Sequence, residues 1–109
     1  MKAKITLDLE VRMGGTKPVG TSFLGYLPDG TRYSELVRVF GEPQRGASPD
    51  GKVKAEWNGT INGLEFTIYD YKSLVKPKDC TDWHIGGKKK FVLALLIAYF
   101  NATANVEGE

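Results

Sequence analysis

The 109 residues amount to one domain's worth of chain; 41% are apolar and 26% charged, a globular composition that excludes a disordered segment. A net charge of +2 is too small for a dedicated nucleic-acid binder, which concentrates positive charge on one face, so no nucleic-acid polymer is expected as partner. One cysteine, Cys80, excludes an internal disulfide, and one histidine, His84, excludes metal sites built on several histidines.

In chain order, Met1-Lys2-Ala3-Lys4 runs directly into an alternating pattern, so no secretory leader is expected. From Lys4 to Met13 the residues Ile5, Leu7, Leu9, Val11 and Met13 share one face while Thr6, Asp8, Glu10 and Arg12 share the other, which predicts a strand with one wet face. Thr21 to Leu27 predicts a second short strand closed by the turn Pro28-Asp29-Gly30. Thr31 is the expected cap of a helix whose apolar positions Tyr33, Leu36, Val37 and Phe40 follow the i, i+3, i+4, i+7 rule; Gly41 ends it and Pro43 forbids continuation.

Gln44 to Gly51 is polar loop, and Lys52 to Lys72 predicts a hairpin. Two turns compete, Asn58-Gly59 and Asn62-Gly63. A two-residue turn at Asn62-Gly63 sets Ile61 opposite Leu64, Gly59 opposite Phe66 and Trp57 opposite Ile68, so the apolar residues share a face. The alternative mixes the faces, and Asn62-Gly63 is therefore preferred. Parity places Asp70 on the core side, where a charge is expected to be near the sheet end, paired, or functional. Ser73 to Asp82 is loop, and Trp83-His84-Ile85 is the expected edge strand. Residues 88 to 102 are the expected last helix. Its centre, Phe91 to Phe100, is apolar all round, too short to span a membrane, and in need of cover on more than one side. A second copy of the chain is the expected cover, making a homo-oligomer through residues 91–100.

The run from Thr81 to Lys90 carries the densest chemistry. Glycines let backbone N–H groups approach a ligand, a helix start favours an anion, and lysines supply point charges suited to phosphate. Gly86, Gly87, Lys88 and Lys89 are therefore candidate anion-binding residues, the plainer alternative being a tight turn before a solvated helix start. Tyr69, Tyr71, Lys72, Trp83 and His84 mix aromatic faces with cations, the combination that a nucleotide base and its phosphates would want; strand aromatics also pack across sheets without any ligand. Cys80 and His84 stand four apart with Asp79 and Asp82 nearby, too few ligands without orderly spacing for a zinc site, and no oxyanion-hole motif accompanies them. No metal, no cofactor and no catalytic residue is expected.

The order of motifs resembles small uncharacterised proteins widespread in bacteriophage genomes. It runs from Gly25-Tyr26 through Tyr33-Ser34-Glu35-Leu36-Val37, Phe40-Gly41-Glu42-Pro43, Asp50-Gly51-Lys52-Val53 and Glu56-Trp57 to Ile68-Tyr69-Asp70-Tyr71-Lys72 and Asp82-Trp83-His84-Ile85-Gly86-Gly87. The layout is also similar to the phage anti-Thoeris sponge proteins, which sequester cyclic ADP-ribose isomers and cyclic nucleotides and pair a small antiparallel sheet with dimer-forming C-terminal helices. The closing helix here has no arginine, whereas such proteins use arginines for phosphate. The expectation is an α+β fold: a small antiparallel sheet with an inserted helix and an apolar C-terminal helix, in one domain over residues 1–109. The resemblance implies a cytoplasmic phage counter-defence protein that sequesters a small anionic nucleotide without turnover. Two other readings are a phage inhibitor that docks on a host defence complex, as anti-CRISPR proteins do, and a small hydrolase using His84.

Overall fold

The computed structural model describes residues 8–107, with side chains to residue 103. Ile5 and Leu7 of the first expected strand lie outside the described residues. The elements are β1 (Val11–Met13), β2 (Ser22–Tyr26), α1 (Tyr33–Phe40), β3 (Glu56–Ile61), β4 (Leu64–Tyr69), β5 (His84–Gly87) and α2 (Phe91–Glu107), with one 3-10 turn at Pro77–Asp79. The five strands form an antiparallel sheet in the order β1-β3-β4-β5-β2, and both helices belong to the same α+β fold.

The hairpin pairs Ile61 with Leu64, Gly59 with Phe66 and Trp57 with Ile68, the register that the apolar pattern favours. Its turn residues Asn62 and Gly63 have φ of 51° and 80°, as a type I′ turn requires. Asn62 also anchors β1: its Oδ1 accepts from the Glu10 N–H at 2.8 Å, and its own N–H donates to Glu10 O at 2.8 Å.

Two expectations about caps and edges are corrected. Thr31 does not cap α1; its hydroxyl donates to Pro28 O at 2.6 Å and closes the preceding turn. The cap position is Arg32, whose N–H donates to Glu35 Oε1 at 2.9 Å, the carboxylate half of a capping box. The last strand, expected at the edge around His84, is interior. β5 lies between β4 and β2, and β2 takes the edge. No local signal marks this, because β2 joins β5 across 57 or more residues of chain by sheet closure rather than by a turn.

The core lies between one face of the sheet and the two helices. Trp57, Ile61, Phe66, Ile68 and Ile85 face Leu36 and Phe40 of α1 and Val92, Leu96 and Phe100 of α2, all buried. Trp57 and Trp83 meet edge to face at 5.3 Å, with Tyr33 against both. Both indole N–H groups find carbonyls, Trp57 on Gly41 at 2.7 Å and Trp83 on Cys80 at 3.1 Å, so neither large ring buries an unmatched donor. Asp70 is fully buried where β4 ends. Its Oδ1 accepts the backbone N–H of Lys54 at 2.8 Å and of Ala55 at 3.0 Å, which fixes the entry to β3.

Candidate functional site

The face of the sheet turned away from the helices carries two cross-strand rows. Register aligns Glu56, Tyr69, His84 and Tyr26 in one row, and Asn58, Thr67, Gly86 and Phe23 in the next. A register shift between Phe23 and Gly25 turns β2 so that Leu24 reaches Gly87 and Gly25 sits under Leu93, both on the helix side, leaving Phe23 and Tyr26 on the open face. Gly86 matters for a spatial reason: a Cβ there would stand 2.6 Å from Thr67 Oγ1 and 3.5 Å from Tyr69 Cε1. Its bare backbone lets Tyr69 lie down over β5.

His84 is the hub of an aromatic cluster. Its ring stacks on Tyr69 at 5.3 Å, and Tyr26, Phe23 and Tyr71 surround it at 4.8, 5.4 and 5.9 Å. Phe23 and Tyr26 also meet edge to face at 5.1 Å. These five side chains line a concavity of about 380 Å³. Phe23, Tyr26 and Tyr71 are 52%, 48% and 42% exposed, unusually open for such large rings. The Lys72 ammonium stands 5.4 Å from the centre of the Tyr71 ring. Lys72 itself holds φ of 53°, a left-handed conformation uncommon outside glycine, at the point where the chain leaves Tyr71.

Phe23, Tyr69 and Tyr71 also wall a second concavity of about 180 Å³, whose other lining residues include Lys17, Thr67 and Glu56. Glu56 is only 6% exposed. Its Oε1 lies 3.6 Å from Lys17 Nζ, while Oε2 is buried without a hydrogen-bond partner. Burial raises the Tyr69 phenol above its ordinary value, and Glu56, Tyr71 and Tyr26 push the same way. The phenol therefore stays protonated and able to donate.

Buried polar atoms without partners single out this face. Among the described residues they are Glu56 Oε2, Asn58 Oδ1, His84 Nδ1 and Asp70 Oδ2, and the first three belong to the open face. A larger concavity, about 460 Å³, lies at the start of α1 between Arg32, Tyr33, Ser34, Val37, Glu42 and Lys78, but none of these four atoms lines it.

The residues singled out in the sequence divide into three groups. Tyr69, Tyr71, Lys72 and His84 come together on the open face, and Gly86 supports them. Trp83 is 1% exposed, on the opposite face, in the core. Gly87, Lys88 and Lys89 lie toward the far end of β5, with Lys88 ~13 Å along an extended chain from His84. Gly86 and Gly87 are strand residues in ladders with β4 and β2, not loop glycines beside a ligand. The last helix begins at Phe91 rather than residue 88, and its first amides are already occupied: Val92 N–H donates to Lys89 O and Leu93 N–H to Lys90 O. Lys88 Nζ pairs with Glu65 Oε1 at 2.7 Å, so its charge has a carboxylate partner within the chain. Cys80 is buried in the core while His84 faces the other way, so the thiol and the imidazole, four residues apart in the chain, are not brought together. Among the described residues no group of three or more His, Cys, Asp or Glu is placed to hold a metal ion.

Lys17, Phe23, Tyr26, Glu56 and Thr67 complete the site without having been singled out in the sequence. A signal for Glu56 existed: the hairpin register that sets Trp57 opposite Ile68 also sets Glu56 beside Tyr69 on the polar face. Comparison of the chain with protein-family models, with curated proteins and with solved structures gave no match.

Proposed function

We propose that the open face captures a small nucleotide, stacking its base on the aromatic cluster and turning its phosphate toward Lys72. The observation that carries this reading is the exposed set of Phe23, Tyr26 and Tyr71 around His84, joined to a polar recess. Every nucleobase has a π-face, and stacking on an aromatic side chain contributes about 1–3 kcal/mol per base. Lys72 beside Tyr71 adds a cation at the rim, where phosphate would stay solvated. Capture without turnover is the proposed action, and the released-ligand test below separates it from hydrolysis through His84. A cyclic ADP-ribose isomer or a cyclic nucleotide is the proposed ligand class, in the host cytoplasm, as the resemblance to phage sponge proteins implies.

The test is incubation of the purified protein with cyclic ADP-ribose isomers and cyclic nucleotides, removal of free ligand, heat denaturation and mass spectrometry of what is released. Intact released ligand is expected. A transformed product would make the protein an enzyme, and no retention of any compound would discard the capture reading.

One observation favours a second reading. Three large aromatic side chains, each more than two-fifths exposed on one sheet face, also suit a protein partner, since aromatic residues are enriched in interface cores. Docking on a host defence complex would use the same face without a small ligand. A homo-oligomer through residues 91–100 is a separate proposal. Phe91 and Ala94 are exposed on the outer side of α2 and Leu95 is half-buried at the margin of the core, while Val92, Leu96 and Phe100 already pack within the chain. Leu95→Glu is expected to shift the elution volume of an oligomer; an unchanged monomer would remove the proposal.

A further inference from the structure

We infer that Glu56 reads the base of the captured nucleotide and selects guanine. This inference rests on the capture reading above and, within its ligand class, selects a guanine cyclic nucleotide over cyclic ADP-ribose, whose base is adenine.

A carboxylate that is nine-tenths buried and half unpartnered is costly to keep in a folded chain. Glu56 lines the recess that shares the walls Phe23, Tyr69 and Tyr71 with the aromatic cluster, and it pairs across the strands with Tyr69. A base stacked against Tyr71 and Phe23 would direct one of its edges at Glu56. Rotation about the last side-chain bond, a soft torsion, brings the plane of the carboxylate into that of the base edge, so that both oxygens face it. Two oxygens side by side accept best from two adjacent N–H donors, and guanine alone among the common bases offers such a pair, N1–H and the N2 amino group. The neighbouring guanine O6 needs a donor. Lys17, whose ammonium lies 3.6 Å from Glu56 Oε1, stands where it can supply one. Adenine fits worse: one oxygen could accept from its N6 amino group, but the other would face the N1 lone pair. Uracil offers a single N–H flanked by two carbonyl oxygens, which the carboxylate repels.

The recess is also wrong for the phosphate. Glu56 would repel an anion placed there, so the base and not the phosphate enters, and the phosphate is left to the Lys72 side. The buried, half-unpartnered Glu56 carboxylate favours that orientation, because the more exposed Lys17 ammonium is already drawn to its other oxygen.

The experiment is calorimetric titration of the full chain with 3′,5′-cyclic GMP, cyclic IMP, cyclic AMP and cyclic UMP, with cyclic ADP-ribose as the comparison ligand. Cyclic GMP is expected to bind on the order of 10- to 100-fold more tightly than cyclic AMP or cyclic UMP, the value of hydrogen bonds to a charged group. Cyclic IMP lacks the N2 amino group and is expected between them. Glu56→Gln, checked for native circular dichroism, is expected to bring cyclic GMP down to the level of cyclic AMP. Equal affinity for cyclic AMP and cyclic GMP in the native chain needs no variant to interpret and overturns the assignment of Glu56, as does a Glu56→Gln protein that keeps the guanine preference. Binding of cyclic ADP-ribose alone overturns guanine selection and leaves capture standing. Failure of every compound to bind overturns capture itself.

Discussion

The two faces of one sheet differ in how they satisfy their polar groups. The helix-covered face buries Trp57, Trp83, Phe66, Ile68 and Ile85, gives both indoles a carbonyl, and is closed by α1 and α2. The open face buries Glu56, Asn58 and Thr67 among aromatics and leaves three polar atoms of Glu56, Asn58 and His84 without partners. One face is built for stability and the other is not. Retaining unmatched polar atoms beside exposed rings works against stability, which is why the open face is where a ligand-dependent property belongs.

Substitutions on the two faces should separate stability from binding. The largest effect belongs to the closed face: Trp57→Ala is expected to cost about 3–5 kcal/mol in urea unfolding, through the cavity it leaves and the Gly41 carbonyl it orphans. A cost below 1 kcal/mol would mean that the face is not the stabilising one. Gly59→Ala comes next. Its Cβ would press into the Arg12 carbonyl and stand 3.1 Å from Met13 Cα, so about 1–3 kcal/mol should be lost as β1 is forced from β3. Hydrogen exchange should report the loss in residues 10–13 first.

Tyr71→Ala on the open face should do the reverse. Loss of about 1–3 kcal/mol of nucleotide affinity is expected by titration, with an unfolding midpoint close to native. A large stability loss with unaltered binding would reverse the roles of the faces. A smaller effect concerns pH. The folded Tyr69 phenol titrates above the unfolded value of 10.0, so its contribution to stability is complete below that value and is lost as pH rises through the higher folded one. Tyr69→Phe should flatten the alkaline limb of the stability profile; an unchanged limb would place the phenol in open solvent. The smallest effect is Lys72→Gly, expected to gain up to about 1 kcal/mol by relieving the left-handed backbone, less the entropy that glycine adds to the unfolded chain, while weakening retention of anionic ligands.

Much of the closed face was legible along the chain. Helix α1 follows from the spacing of Tyr33, Leu36, Val37 and Phe40, and the hairpin register follows from the demand that Trp57, Ile61, Phe66 and Ile68 share a side. Both are local rules, in which neighbours within a few residues carry the information. The site was legible in part, because Tyr69, Tyr71, Lys72 and His84 lie on two sequence segments that each mix rings with cations. Phe23 and Tyr26 were not, since they reach His84 only when β2 closes the sheet against β5. Trp83 was misplaced for a different, local reason: its neighbour His84 faces outward, so by strand alternation Trp83 faces inward.

Alternation, turn chemistry and helical spacing thus determined which segments form strands, helices and turns, because those preferences arise from φ, ψ and side-chain periods along the chain itself. Strand order, the burial of Glu56 and the placing of Lys88 on Glu65 were decided in three dimensions. Each depends on which distant segment arrives beside a residue, and the free energy of that meeting belongs to the packed sheet rather than to any stretch of sequence.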